Sequence, residues 1–314
     1  MRIGFADLKK AWRLPGRALM FGMPLTLLGT AVAAKWLCGL NWPESFLVGA
    51  VLSPTDPVFA AAIVGREEIP ARLRDLLNVE SGLNDGIALP FVVALLALIS
   101  AGQIPVATLS GEVVWGLALG VLVPCVAMLL ERLAFFAVHE SHRTLFAFAI
   151  GMLVFTVAPL THANSYLAAF AAGITVATLD PHIRHRFEGF GGPLTELLKL
   201  AALLVFGALI SSQLVQDIRP ADYLFALVAL ILVRPIAIII ALFGSAIGWK
   251  ETLVAGWFGP KGFASVVYGL MILESNAPNA RHLAHLVAIV IIASIVAHSS
   301  TDVVIAHWFR KQTA

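Results

Sequence analysis

One apolar stretch of the chain, residues 78–100, contains acids that a helix crossing lipid would not need. Its first half holds Glu80 and Asp85, with Ser81 and Asn84 between them. On a helix, residues four apart share a face, so Ser81 lies beside Asp85 and Glu80 beside Asn84. Carboxylates and hydroxyls are hard oxygen ligands, which suit a small hard cation. Because one carboxylate can hold a proton or a cation but not both, this pattern suits exchange chemistry.

Two short segments rich in proline and glycine place further polar groups inside apolar stretches. In SPTDP, at 53–57, prolines bracket Thr55 and Asp56, and in GPKG, at 259–262, Lys261 stands among two glycines and a proline. Proline removes an amide donor and clashes with the preceding turn, so we expect both helices to break. Irregular backbone within a membrane is tolerated only against protein or a water-filled cavity.

The composition of the chain is that of a membrane protein. Of the 314 residues, 59% are hydrophobic and only 13% are charged, whereas soluble domains have about 25% charged residues. The net charge of +2 and the lack of a basic run argue against nucleic-acid binding. Cys38 and Cys125 lie in apolar runs, and we interpret both as packing residues. No histidines or cysteines have zinc-site spacing, and we expect no cofactor.

Ten segments have the length and apolarity of membrane spans, since a crossing takes about 20 residues. They are 17–40, 44–64, 75–100, 110–138, 143–161, 164–180, 196–214, 222–243, 249–273 and 283–307. The longest polar connector, 180–193, can lie at the membrane surface. With the N-terminus in the cytoplasm, fifteen Lys and Arg residues fall on the cytoplasmic side and three on the outer side. The positive-inside rule therefore predicts ten spans with both termini cytoplasmic, and we expect the plasma (inner) membrane as their location.

Charged residues from four spans fall near the same depth. At 1.5 Å per residue, Asp85 lies about 15 Å into its span, and Arg234 and Lys261 lie about 18 Å into theirs. Asp56 lies slightly past the middle of its span. A charge at the bilayer centre costs at least about 2.5–3.5 kcal/mol, so we expect these residues to pair, face water or bind an ion. Glu80, closer to the cytoplasmic end, is expected to stay ionised against Arg234 or Lys261.

The two breaks occupy equivalent places in the chain, each in the middle span of a triplet. Spans 1–3 and spans 8–10 run in opposite directions, and interrupted spans in corresponding halves indicate a transporter's central ion site. The sequence thus predicts an all-α polytopic membrane protein, an inverted repeat whose two broken helices cross at the midplane. The predicted parts are a cytoplasmic segment 1–16, a core formed by 17–100 and 222–307, scaffold helices at 101–214, and a cytoplasmic tail 308–314.

The motifs SPTDP, ESGLNDG, VRP and GPKG, in this order, resemble the sodium/proton antiporters of the NhaP and eukaryotic NHE type. The resemblance covers nearly the whole chain. It implies a secondary active antiporter, not an enzyme, that exchanges Na⁺, or else Li⁺ or K⁺, for H⁺. It also implies a homodimer in which a six-helix core moves like an elevator against the dimerisation half.

The same resemblance assigns a role to each polar residue of the first triplet. Asp85 would bind the proton and, transiently, Na⁺, and Ser81 would contribute an oxygen. Thr55 and Asp56 would form the crossover of the unwound helix. Asn84, where a second aspartate stands in other branches, resembles the electroneutral branch, which exchanges one cation for one proton.

In the second triplet, the resemblance matches Arg234 to the buried charge pair that involves Glu80. Lys261 stands in the GPKG motif where the family usually has arginine. Lysine keeps the positive charge but lacks the planar guanidinium, which can make two parallel hydrogen bonds. The base that pairs with Glu80 therefore stays open. The family commonly has about three further spans before the one that begins at Arg17. We therefore expect the chain to be part of a longer antiporter, with poor or no transport by itself.

Two other functional classes use similar residues. A cation channel would use the same polar midplane but conduct without proton coupling, so uptake driven by a pH gradient discriminates it from an antiporter. An intramembrane aspartyl protease would use Asp56 and Asp85 as a catalytic dyad. The GxGD pattern of such proteases is missing, and Asp56 stands between prolines.

Overall fold

The computed structural model describes residues 14–56, 68–100, 106–131, 143–209 and 218–310, and every regular element within them is helical. We number these helices α1 to α11. They are α1 (Pro15–Leu37), α2 (Trp42–Leu52), α3 (Ala71–Ser100), α4 (Val106–Glu131), α5 (Arg143–Val157), α6 (Ser165–Leu179), α7 (Pro181–Leu209), α8 (Pro220–Leu242), α9 (Trp249–Trp257), α10 (Phe263–Glu274) and α11 (Ala280–Arg310).

The chain forms two compact units. One comprises Gly102–Ala201, and the other comprises Arg2–Ala101 with Ala202–Ala314. The predicted division into a core, 17–100 with 222–307, and a scaffold, 101–214, stays a prediction.

Small residues allow the helices of the first unit to approach closely. α4 carries Gly116 and Gly120 four residues apart, the spacing of close helix contacts in membranes. A Cβ added to Gly116 would lie 2.9 Å from the Asn164 carbonyl oxygen, and one added to Gly120 would lie 2.6 Å from Ala171 Cβ. Asn164 caps α6, since its Oδ1 accepts the Leu167 amide at 3.1 Å. The apolar core of this unit consists of Leu119, Ile150, Val154, Ala158, Ala163, Ala168, Ala172 and Val176.

The second unit is built around similarly close contacts. α1 packs against α8 at Gly29, where an added Cβ would lie 2.8 Å from Val233 Cγ1. α1 also packs against α2 at Gly49, whose added Cβ would collide with the Leu27 carbonyl oxygen. The core cluster of this unit consists of Ala18, Ile69, Leu73, Leu76, Leu77, Ile238, Leu242, Val254, Ala255, Phe258 and Phe309.

Two helices of the second unit contain a π-helical turn directly before a proline. In α1 the turn is Ala18–Gly22 and precedes Pro24, and in α8 it is Ala229–Val233 and precedes Pro235. Proline lacks an amide and its ring clashes with the carbonyl four residues earlier. A wider turn accommodates this conflict without ending the helix.

Within the part of the chain that the structure describes, six helices are long and apolar enough to cross a membrane, and four shorter helices are also apolar. Each of the ten predicted spans overlaps one of them, while the number of crossings itself stays a prediction. The structure differs from the sequence expectation at 180–193. This stretch was expected to be a polar connector, yet α7 begins at Pro181 and continues through Pro193 to Leu209.

The close contact of α4 with α6 predicts a measurable effect of a single methyl group. Gly120→Ala should lower the stability of the protein in detergent by about 1–3 kcal/mol, the range for overpacked sites. Gly151→Ala in α5 is the matched control, because its added Cβ meets no atom within 4 Å. Thermal unfolding of the two variants checks this. Equal melting temperatures would show that the α4–α6 contact is not tight.

Candidate functional site

We call the non-helical residues 53–56, which follow α2, the first interruption. α2 ends at Leu52. Ser53 donates its hydroxyl to the Ala50 carbonyl oxygen at 3.0 Å. Pro57, the second proline of the SPTDP motif, lies outside the described residues.

The second interruption lies between α9 and α10. α9 ends at Trp257 and α10 begins at Phe263, so the GPKG motif is not helical. The Phe258 amide still donates to the Val254 carbonyl at 2.7 Å and completes the last turn of α9. Residues 258–262 are all buried.

The two interruptions meet, and each satisfies backbone groups of the other. The Asp56 amide donates to the Pro260 carbonyl oxygen at 2.8 Å. In the opposite sense, the Phe263 amide at the start of α10 donates to Asp56 Oδ2 at 2.7 Å. Lys261 Nζ donates to the Pro54 carbonyl oxygen at 3.2 Å. The predicted polar residues Asp56 and Lys261 are therefore brought together by direct contacts across the two breaks.

Glycines make this crossing possible. A Cβ on Gly262 would collide with the Asp56 carboxylate, and a Cβ on Gly259 would collide with the Arg234 guanidinium. The two glycines of GPKG therefore provide the space that these two side chains fill.

A small cluster of hydroxyl and amide groups lies where the first interruption meets α3. Thr55 Oγ1 is 3.0 Å from Ser81 Oγ and accepts a hydrogen bond from Asn84 Nδ2 at 2.7 Å. All three side chains are buried. The Asn84 Oδ1 atom is also buried and has no hydrogen-bond partner among the described residues. The cluster therefore offers oxygen ligands of the kind that a small cation prefers.

Asp85 lies one residue after Asn84 and one helical turn after Ser81 on α3. Its side chain is half-buried, and its carbonyl oxygen accepts the hydroxyl of Tyr268 at 2.7 Å. Tyr268 belongs to α10, so this hydrogen bond ties the helix after the second interruption to the turn that presents Asp85. The sequence reasoning did not single out Tyr268.

Glu80 forms a buried ion pair with Arg234. Its Oε1 lies 3.0 Å from Arg234 Nη2, and the two residues are 1% and 3% exposed. The same guanidinium nitrogen makes longer contacts to the Ala255 and Phe258 carbonyl oxygens. Of the two bases that the sequence left open, the structure thus places Arg234 against Glu80, while Lys261 contacts the first interruption.

The last helix contributes residues that the sequence analysis did not assign to the site. The Lys261 amide donates to Ser294 Oγ at 2.8 Å, and His298 lies one turn further along α11. Ser265 on α10 donates to the Val51 carbonyl oxygen at 2.8 Å. A signal existed for the first two, because Ser294 and His298 lie four residues apart on one face of a predicted span.

The buried pair predicts unequal effects of removing two carboxylates of the same helix. Breaking a buried pair by removing one partner costs about 3–5 kcal/mol. Glu80→Ala should therefore lower the melting temperature in detergent more than Asp85→Ala does. Similar melting temperatures for the two variants would contradict a structural role for Glu80.

Two known proteins are similar to this chain over about 300 residues each. The K(+)/H(+) antiporter NhaP of Alkalimonas amylolytica is 25% identical over 305 residues, which cover 93% of this chain and 51% of that protein. The Na(+)/H(+) antiporter 2 of Zygosaccharomyces rouxii is 28% identical over 292 residues, covering 83% and 36%. The chain thus spans about half of the bacterial relative and less of the yeast one.

The fold also matches a solved structure. The structure of the sodium proton antiporter MjNhaP1 from Methanocaldococcus jannaschii at pH 8 superposes with a TM-score of 0.77 and 20% identity, covering 97% of this chain and 80% of that one. The all-helical antiporter fold predicted from the sequence is thereby confirmed.

A family model described as "Sodium/hydrogen exchanger, transmembrane" matches residues 1–307. This match covers the motifs from SPTDP to GPKG, whose residues meet at the two helix interruptions. The chain is an integral membrane protein and belongs to the transmembrane sodium/hydrogen exchanger family.

Proposed function

We propose that the protein containing this chain exchanges a monovalent cation for a proton, with both binding in turn at Asp85. The observation that carries the proposal is the buried cluster of Thr55, Ser81 and Asn84, in which Thr55 lies in the first interruption and Ser81 and Asn84 lie within about one turn of Asp85 on α3. In a member of the exchanger family, such a cluster supports binding of a dehydrated cation.

The chemistry follows from the ligand types. Thr55 and Ser81 supply hydroxyl oxygens, and Asn84 supplies the carbonyl oxygen that has no protein partner among the described residues. Together with the Asp85 carboxylate, these oxygens replace part of the water shell of the cation. A proton that binds the carboxylate removes its charge, and the remaining neutral oxygens then hold the cation weakly. Competition at one site couples the two fluxes.

The proposed stoichiometry is one cation for one proton. The residue before Asp85 is the neutral Asn84, so the NDG segment offers one carboxylate. One carboxylate charge is balanced by one monovalent cation or by one proton. Glu80 is engaged with Arg234 and is proposed to hold α3 against α8 throughout the cycle.

Na⁺ is the proposed cation, with K⁺ and Li⁺ as alternatives. The relatives are named for K⁺ in Alkalimonas amylolytica and for Na⁺ in Zygosaccharomyces rouxii, so both ions need testing. The proposed setting is a homodimer in the plasma membrane with cytoplasmic termini and alternating access of the core, 17–100 with 222–307.

The experiment uses the product of the complete gene in everted membrane vesicles. A pH gradient is established and followed with a quenched dye, and Na⁺, K⁺, Li⁺ or choline is added in turn. Recovery of the dye signal with an alkali cation but not with choline supports antiport. Cation currents without recovery of the pH signal would instead indicate a channel.

Asp85→Asn should abolish exchange while the protein still inserts into the membrane. The amide can neither take up a proton at working pH nor offer a charge to the cation. Asp75→Asn is the matched control, because Asp75 is exposed on the same helix, and it should retain exchange. Cation-dependent recovery of the dye signal by well-expressed Asp85→Asn protein would refute the role of Asp85.

Exchange should be electroneutral. In proteoliposomes, an imposed membrane potential should leave the initial rate of cation-driven proton movement unchanged, because one positive charge moves each way. The potential is set with a K⁺ gradient and valinomycin, while Na⁺ is the transported ion. An initial rate that rises and falls with the potential would show net charge movement.

A further inference from the structure

The last helix presents a row of polar side chains to the second helix interruption. Ser294, His298 and Thr301 lie four and three residues apart on α11 and therefore share one face. Ser294 is fully buried and His298 is 5% exposed. A polar row within an apolar helix is unfavourable in hydrocarbon unless its groups find partners.

Each member of the row contacts a different part of the interruption. Ser294 Oγ accepts the Lys261 amide at 2.8 Å. His298 Nε2 is 2.7 Å from the Trp257 carbonyl oxygen at the end of α9, and Thr301 Oγ1 accepts Trp257 Nε1 at 2.9 Å. The His298 ring also lies 5.3 Å from the Trp257 ring, measured between centroids. The row therefore holds both the end of α9 and the backbone at Lys261.

The contact of His298 with Trp257 has a defined polarity. A carbonyl oxygen only accepts, so Nε2 must donate its hydrogen. The Trp257 carbonyl oxygen also accepts the Gly259 amide at 2.8 Å, and the partial negative charge at the C-terminus of α9 favours a further donor there. On the other side of the ring, Nδ1 lies 2.6 Å from the Ser294 carbonyl oxygen and 3.1 Å from Ser294 Oγ. The ring thus bridges α9 and α11.

The held segment is the one that meets the first interruption. Between Trp257 and Lys261 lies Pro260, whose carbonyl oxygen accepts the Asp56 amide. Lys261 Nζ reaches the Pro54 carbonyl oxygen. A shift of this segment would therefore move Asp56 and, next to it, Thr55.

We propose that His298 is a positioning residue for exchange, which fixes the second interruption against α11 and thereby sets the affinity for the cation. This inference rests on the proposed function. His298 touches none of the proposed ion ligands, and it acts on them through Trp257, Pro260 and the backbone of the first interruption.

The test compares two substitutions of His298 in the complete gene product reconstituted into proteoliposomes. His298→Leu removes the ring and its Nε2 donor, whereas His298→Gln keeps a side-chain amide that can donate to the Trp257 carbonyl. Loss of one buried hydrogen bond corresponds to about a five- to tenfold change in an equilibrium constant. We expect His298→Leu to raise the apparent KM for the cation by about that factor with little change in Vmax, and His298→Gln to restore most of the affinity.

His307→Ala is the matched control, since this exposed histidine lies on the same helix, and its KM should equal that of the wild type. If His298→Leu does not fold, the apparent KM for the cation is measured with Ser294→Ala instead. This variant removes the acceptor of the Lys261 amide and should also raise the KM. An unchanged KM in the folded variant, or a KM as high in His298→Gln as in His298→Leu, would overturn the inference while leaving the proposed exchange intact. A wild-type protein that exchanges no cation for protons would overturn both.

Discussion

The site depends on one constraint, the need to satisfy backbone groups where two helices are interrupted inside an apolar protein. An amide or carbonyl left without a partner in hydrocarbon costs several kcal/mol. Here the two interruptions satisfy each other, through the Asp56 amide and the Pro260 carbonyl and through Lys261 and the Pro54 carbonyl. This mutual pairing requires close approach, which explains why Gly262 stands where any side chain would collide with Asp56.

The two carboxylates in the first half of α3, Glu80 and Asp85, differ in their burial and in their partners. Glu80 and Arg234 are nearly completely buried and 3.0 Å apart, so each offsets part of the other's desolvation. Their helices α3 and α8 are thereby held together beside the interruptions. Asp85, one to two turns further along α3, is half-buried. The lower burial of Asp85 than of Glu80 supports the proposal that Asp85, and not Glu80, is the carboxylate that binds the ion. Two carboxylates five residues apart on α3 therefore differ in burial, which supports the proposed division into a structural acid and an ion-binding one.

The two interruptions were predicted from local sequence signals, whereas contacts between residues distant in the sequence could not be predicted. Proline and glycine act on the backbone of their own segment, so SPTDP and GPKG could be interpreted directly. The partner of Glu80 could not be chosen, because Arg234 and Lys261 lie at the same depth by helix rise and only the packing of α8 and α9 separates them. Tyr268 resembles an ordinary residue of an apolar helix until the fold brings the Asp85 carbonyl oxygen to it. The helix at 181–193 was missed because polar composition is also typical of a connector.

α1 and α8 contain the same backbone feature, a π turn before a proline, but different residues follow it. The segments Ala18 to Pro24 and Ala229 to Pro235 share the pattern A-L followed by proline five residues later, and each widens before its proline. An extra residue in a turn rotates everything after it by about 100° about the helix axis. In α8 the residue so placed is Arg234, which meets Glu80. In α1 the residue at the corresponding place after the turn is Met23, which is uncharged and buried. α1 and α8 therefore share a π turn before a proline, and only in α8 is the residue that follows the turn charged.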